Sequence, residues 1–408
     1  MKAPIYLSYP AAICAAGANP NEIWHSVITG NQKNIKKYQS LSGKEFFCGR
    51  IDDSLLSPVD DKYDCRIVRI LNTAISQLNP LVEKLQKKYG SERIAVLVGS
   101  CDNSSETSLA GHRVYFENSK FDSSYNLEMQ SADYPATFVK NKYGLKGPSC
   151  VFATACSSSA SAIIKASQLI RSGIVDVAIA GGVDMASDTA LLGFDALEAV
   201  SSEVSNPFSK NRTGITLGEG AAFFVLSKNK DDVKVENLPS VVLLGKGESA
   251  DASHITAPLA DGSGAAQAMQ KALDDAAIKS TDIDYINFHG TGTHLNDSME
   301  AKAVSNVFEK NPTVNVSSTK PLTGHTLGAA GVLELSMCYL AIVNNNSVSP
   351  KEIKLPIHKW DGQKDPEMGS FNFVEDNSTF TKPINICMSN SFAFGGCNVS
   401  LIIGKENE

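Results

Sequence analysis

The stretch Thr154-Ala155-Cys156-Ser157-Ser158-Ser159-Ala160-Ser161-Ala162-Ile163-Ile164 sets a cysteine at the foot of an apolar helix. Before it, Val151-Phe152-Ala153 is short and apolar, as suits a strand. After it, Ala160, Ile163, Ile164, Ala166, Leu169 and Ile170 recur at helical spacing until Gly173 provides a C-terminal stop. The pattern predicts a strand, a sharp turn and a helix whose first N–H groups lack intrahelical partners. A thiol on that turn faces the positive end of the helix dipole, which lowers its pKa and favours the nucleophilic thiolate. The same N–H groups suit an oxyanion. Cys156 also reads as one more small buried hydrophobe. What sets it apart is a pair of histidine motifs downstream.

The first motif is Asn287-Phe288-His289-Gly290-Thr291-Gly292-Thr293, directly after the strand-like Asp284-Tyr285-Ile286. Alternating apolarity followed by glycine puts His289 at a strand's end, where a side chain reaches a site from a rigid base. The second is Ser318-Thr319-Lys320-Pro321-Leu322-Thr323-Gly324-His325-Thr326-Leu327-Gly328-Ala329-Ala330-Gly331. There a loop carrying Lys320 leads through His325 into a helix of small residues that continues Val332-Leu333-Glu334-Leu335.

Around these motifs, strand-like and helical runs alternate, the rhythm of a layered α/β protein. Ile94–Val98, Val175–Ala180 and Ala221–Leu226 read as strands. The charged run 227–236 is the best boundary, dividing the chain into an N-terminal half, 1–230, and a C-terminal half, 231–408. Gly218-Glu219-Gly220 precedes Ala221–Leu226 much as Gly395-Gly396-Cys397-Asn398 precedes Val399–Ile403, a short echo between the halves. Residues 102–135, rich in Ser, Asn and Asp, read as a polar excursion or a dimer contact rather than as core.

A chain of 408 residues has ample material for a large core. Its formal charge of -7, without a basic block, argues against nucleic acid or an anionic membrane surface as the main partner. No apolar run approaches the ~20 residues that span a bilayer, and the N-terminus lacks a secretion signal. The nine cysteines are scattered without a CxxC pair, so neither a disulfide framework nor a metal site is indicated. A reducing cytoplasm would leave Cys156 a free thiol.

These segments resemble the elongating β-ketoacyl-[acyl carrier protein] synthases, the ketosynthase I/II branch of the thiolase superfamily, which includes catalytic subunits of type II polyketide and polyene systems. The family pattern is T-A-C-S/T-S, then H-G-T-x-T, then S-x-K-x-x-x-G-H-x-x-G-A-A-G. It ends in N-S-F-G-F-G-G-x-N, here Asn390-Ser391-Phe392-Ala393-Phe394-Gly395-Gly396-Cys397-Asn398. Pro207-Phe208-Ser209-Lys210-Asn211-Arg212 with Leu217-Gly218-Glu219-Gly220 resembles the P-F-D-x-x-R…G-E-G segment. The matches run in family order from about Gly144 to Asn398. Earlier residues match more loosely, through Trp24, Gly30 and Gly99-Ser100.

The resemblance implies a thiolase-like αβαβα fold of five layers, built from two related βαβαβαββ halves with the active site between them. It implies Cys156 as nucleophile and His289 and His325 as N–H donors to the enolate oxygen formed when malonyl-carrier protein loses carbon dioxide. The N–H groups of Cys156 and Phe394 would form an oxyanion hole, with Phe394 also gating. Lys320, paired with Glu334, would bias the site towards anions. Thr291 and Thr293 would bind the pantetheine amides. No separate cofactor is implied, because phosphopantetheine arrives on the carrier protein. The acyl carrier protein is the implied partner, with a homodimer or a heterodimer with a related chain across the edge strand at Val151-Phe152-Ala153.

Three positions depart from the pattern. Ala393 replaces a glycine, and a Cβ there would stiffen the gating loop if φ is positive. Cys397 replaces a threonine, and His294 a proline near the pantetheine entrance. Asp297 and Glu300 read as structural carboxylates at a helix start. A biosynthetic thiolase would need a second catalytic cysteine, an initiating ketosynthase would lack the second histidine motif, and a chain-length factor would lack Cys156.

Overall fold

The computed structural model describes residues 3–59, 64–102, 104–123 and 125–406. In chain order the strands are β1 (Tyr6–Leu7), β2 (Ala11–Cys14), β3 (Ile35–Gln39), β4 (Glu45–Gly49), β5 (Ile94–Gly99), β6 (Ser149–Phe152), β7 (Val177–Asp184) and β8 (Leu217–Gly218). There follow β9 (Gly220–Ser227), β10 (Val241–Ala250), β11 (Tyr285–Asn287), β12 (Asn315–Ser317), β13 (Asn372–Phe373), β14 (Ile386–Phe392) and β15 (Cys397–Lys405). The run read from Val175 starts two residues late, at Val177, and extends to Asp184.

The two halves repeat one topology. The strand order is β6–β5–β7–β9–β1 in the first and β12–β11–β14–β15–β10 in the second, with β13 added outside β12. In both, the third strand is outermost, followed by the second, fourth, fifth and first. Strands β9 and β15, which carry the short sequence echo, hold equivalent places. The first three neighbours in each half are parallel and the fifth strand runs antiparallel. Every residue of β5, β7 and β9 is buried, as expected of strands covered on both faces. Strand β1 pairs with both β9 and β10, so the half-sheets join into one path.

Two helices lie between the half-sheets. Ser158–Arg171 packs on β5 and β7, Ala330–Asn344 packs on β14 and β15, and the helices contact each other. The second is buried from Ala330 to Val343, so it is apolar all round, as a core helix must be. Their N-termini approach closely at Gly331, where a Cβ would lie 2.9 Å from that of Ala160. Outer helices complete the five layers: Arg66–Ile75 and Tyr134–Lys142 on the first half-sheet, Ser263–Ala276 and His294–Val307 on the second. Separate apolar clusters fill the spaces between layers.

Two expectations need correction. Segment Leu327–Asn344 is long and apolar enough by composition to cross a membrane, contrary to the absence of any such run; 94% of it is buried inside the protein, as the central core helix. The 102–135 region is not merely polar. It forms a helix, Ser105–Asn118, whose Tyr115 stacks on Phe121 and Phe121 on Tyr125, while Phe116 stays 81% exposed.

Candidate active site

Cys156 lies in a single 3₁₀ turn, Ala155–Ser157, that feeds the helix Ser158–Arg171. Ala155 holds a φ of 51°, unusual for a residue with a Cβ, and this sharp bend aims Cys156 inward. The Leu327–Ala329 turn before the other central helix repeats the geometry, with Leu327 at a φ of 50°. Thr154-Ala155-Cys156-Ser157 and Thr326-Leu327-Gly328-Ala329 are thus equivalent turns of the two halves. The Phe394–Gly396 turn rests against that of Cys156.

The two histidines converge on that thiol. His325 Nε2 lies 3.1 Å from Cys156 Sγ, across 169 residues of sequence. His289 stands edge-on to His325 with ring centroids 5.3 Å apart. Lys320 lies in a short helix, Lys320–Thr323, rather than in a loop. Its Nζ donates to His289 O, to Glu334 Oε1 and, at 3.3 Å, to His289 Nδ1. Because Nδ1 accepts, the ring proton of His289 sits on Nε2, away from the lysine. Lys320 and Glu334 are both buried, which requires the pair to compensate itself.

Electrostatics oppose one expectation. Burial pushes the Cys156 thiol up to about 12; Lys320 pulls down against it, while Glu334 and Asp184 add to the rise. Desolvation therefore outweighs the helix terminus. Burial, reinforced by Lys320, also holds His289 and His325 well below the usual imidazole range. The resting cluster is a neutral thiol with two neutral imidazoles. The ligand-type atoms of Cys156, His289 and His325 lie within 4.8 Å of one another, a span that a metal could bridge. The Lys320 ammonium beside His289 works against a divalent cation there.

A cavity of about 270 Å³ opens onto Cys156, His289 and His325. Thr291 and Thr293 line it, their hydroxyls 3.0 Å apart, and Thr293 also caps the following helix. His294 reaches the same wall as an exposed residue. Phe394 lines it too, with its ring 5.7 Å from that of Phe194. Ala393 adopts a φ of -115°, so its Cβ strains nothing and the expected stiffening does not arise; positive φ falls on Gly395 and Gly396. Cys397 is half-buried at the start of β15. A larger cleft, about 970 Å³, between helix Pro20–Ile28 and the β3–β4 hairpin contains none of these groups.

Two carboxylates prove more than helix-start residues. Glu300 is fully buried and accepts from the N–H groups of His289 (2.8 Å) and Gly290 (2.7 Å). Asp297 accepts from Phe208 and Gly292. Together they tie down the His289 turn. The only sequence signal was their place one and two helical turns past His294, which any solvated helix start shares.

A thiolase-like α/β protein with a Cys–His–His cluster between duplicated halves is what these observations define. The chain belongs to the beta-ketoacyl synthase family. Residues 81–232 match the family's N-terminal domain and residues 241–354 its C-terminal domain. The 3-oxoacyl-[acyl-carrier-protein] synthase 2 of Staphylococcus aureus (strain COL) is 33% identical over 359 residues, 85% of this chain and 84% of that protein. The mitochondrial 3-oxoacyl-[acyl-carrier-protein] synthase of Arabidopsis thaliana is 36% identical over 278 residues, 65% of this chain and 58% of its own. Among solved structures, the ketosynthase ApeO in complex with its chain length factor ApeC, from Xenorhabdus doucetiae, superposes with a TM-score of 0.88. It is 34% identical, and the match covers 99% of this chain and 98% of that one.

Proposed function

We propose that the protein is an elongating β-ketoacyl-[acyl carrier protein] synthase that condenses an acyl group on Cys156 with malonyl-carrier protein. The observation that carries this reading is His325 Nε2 at 3.1 Å from Cys156 Sγ, beside a His289 whose Nε2–H is fixed by Lys320. Cys156 Sγ attacks the acyl thioester, the N–H groups of Cys156 and Phe394 hold the tetrahedral oxyanion, and the pantetheine thiol leaves with the proton. Malonyl thioester then loses carbon dioxide. The electron pair moves onto the carbonyl oxygen, where the Nε2–H groups of His289 and His325 are the donors. Neutral donors suit that task, since charge develops only in the transition state. The resulting carbanion attacks the Cys156 thioester; the carbon–carbon bond forms, the carbon–sulfur bond breaks, and the departing Cys156 thiolate takes a proton from solvent to restore the neutral thiol. Thr291 and Thr293 hold the pantetheine arm, and no separate cofactor is required.

We divide the chain at 230/231, within the short helix Lys230–Val233 that lies between β9 and β10. The acyl carrier protein supplies substrate at the cavity mouth, and a second ketosynthase-like chain, identical or related, pairs with β6. Among the described residues that strand is hydrogen-bonded on one side only, to β5, and its residues are partly exposed, leaving an edge that needs cover. The nine free cysteines fit a reducing compartment, the cytoplasm. The test is labelling by a thiol-directed acyl mimic such as cerulenin: Cys156 should react ahead of Cys101 and Cys397, and Cys156→Ala should lose acyl transfer while remaining folded. Preferential labelling of Cys101 or Cys397 overturns the assignment.

A further inference from the structure

We propose that Asp184, at the end of β7, is a positioning residue that holds His325 against Cys156 by occupying the anion site of the second half's equivalent turn. Asp184 is 1% exposed, and among the described residues its partners are N–H groups, a hydroxyl and the Cys101 side chain rather than a cation. Oδ2 accepts from Gly328 N (2.6 Å) and Cys101 N (2.9 Å); Oδ1 accepts from Asp102 N (3.0 Å) and Ser100 Oγ (3.3 Å). Gly328 is the counterpart of Cys156 in the Leu327–Ala329 turn, which opens a central helix as the Ala155–Ser157 turn does. In the first half the equivalent N–H is that of Cys156, which the proposed mechanism gives to a substrate oxyanion. The second half fills the same position internally, with a carboxylate contributed by the first.

The consequence is mechanical. His325 lies three residues before Gly328. Its upstream flank is held by the first half, His325 N donating to Thr216 O at 2.7 Å and Gly218 N donating to His325 O at 2.9 Å. Asp184 clamps the downstream flank to the same half that carries Cys156. Both ends of the His325 segment are therefore referenced to the nucleophile's own framework, which preorganises the 3.1 Å contact. The fit is tight: a Cβ on Gly328 would lie 2.6 Å from Asp184 Oδ2 and 2.9 Å from Cys101 N. An asparagine can satisfy some of these donors, but its amide turns an N–H towards another N–H.

The inference rests on the proposed roles of Cys156 and His325. Its test uses the full chain with its natural partner, in Asp184→Asn, His325→Ala, the double variant, and Asp232→Asn, which removes a buried carboxylate remote from the site. Asp184→Asn should slow malonyl-thioester decarboxylation at least tenfold while acylation of Cys156 changes less than about threefold. In the His325→Ala background it should cost no further decarboxylation. Equal loss of both half-reactions, or the same loss with and without His325, overturns the proposal. If Asp184→Asn does not fold, Gly328→Ala, which presses on the same carboxylate, must show the same split. Wild-type enzyme with neither half-reaction refutes the reading of the site instead. The contact is then judged by the pH profile of Cys156 alkylation by iodoacetamide. Because Asp184 also acts on the thiol directly through its charge, Asp184→Asn must shift that profile by clearly more when His325 is present than in the His325→Ala background, and Asp232→Asn must leave it in place.

Discussion

Replacing Lys320 with alanine strands the Glu334 carboxylate, which is 4% exposed at its side chain. Breaking one side of a buried ion pair costs about 3–5 kcal/mol, a large part of a typical total stability of about 5–15 kcal/mol. Glu334 can escape by taking up a proton, because burial already pushes its pKa up to about 7 with Lys320 holding it down. Without the lysine that value rises further. A carboxyl with a raised folded-state pKa loses stability as pH rises through it, by about 1.4 kcal/mol per pH unit. The penalty of Lys320→Ala should therefore be close to full at pH 8.5 and shrink towards pH 6. The double variant Lys320→Met with Glu334→Gln removes both charges and should recover most of the stability. It should not recover chemistry, because His289 Nδ1 still lacks its donor and Nε2–H is no longer fixed. Loss of one such donor elsewhere lowers rates by roughly 10²–10³. Urea unfolding at pH 6 and 8.5, beside carbon dioxide release from malonyl-carrier protein, reads both quantities. Stability unchanged in Lys320→Ala at both pH values, or decarboxylation restored in the double variant, would refute the reasoning.

Above pH 6.5 stability should fall. Burial raises Asp184 to about 7 and Glu300 to about 8, so each costs stability as pH climbs through those values; His289 and His325, held low, cost it as pH falls below about 6.5. The alkaline limb should lose about 2–3 kcal/mol by pH 8.5, and Glu300→Gln should flatten it; stability rising steadily to pH 8.5 would contradict this. At the sheet edge, Pro148 O and Phe152 O face β5, accepting from Val96 and Ser100, so alternation turns the Val151 N–H outward. Val151→Pro should leave β6 paired with β5 yet weaken association and activity together, as read by sedimentation at assay concentration; a fully active monomer removes the edge-strand argument.

Much of the site was readable because its parts are local. The strand–turn–helix around Cys156 follows from apolar spacing, and His289 and His325 follow from glycine-rich turns beside strands. Backbone preference and periodicity act over a few residues, so one sequence carries them without help. The five layers also leave a trace, in the matched runs that became β9 and β15.

What only the tertiary structure decided are relations across long separations and the dielectric they create. The Cys156–His325 contact spans 169 residues and exists because the two half-sheets sandwich two helices whose N-termini meet. The thiol pKa is raised rather than lowered for the same reason: a helix terminus lowers it locally, but burial between the halves outweighs that, and burial is not a local property. Glu300 looked like any helix-start carboxylate until the fold turned it back onto His289 and Gly290. Ala393 looked strained until the backbone assigned the left-handed positions to Gly395 and Gly396. In each case the residue type was visible in the chain, while its partner and its exposure to water were set by packing between segments far apart in sequence.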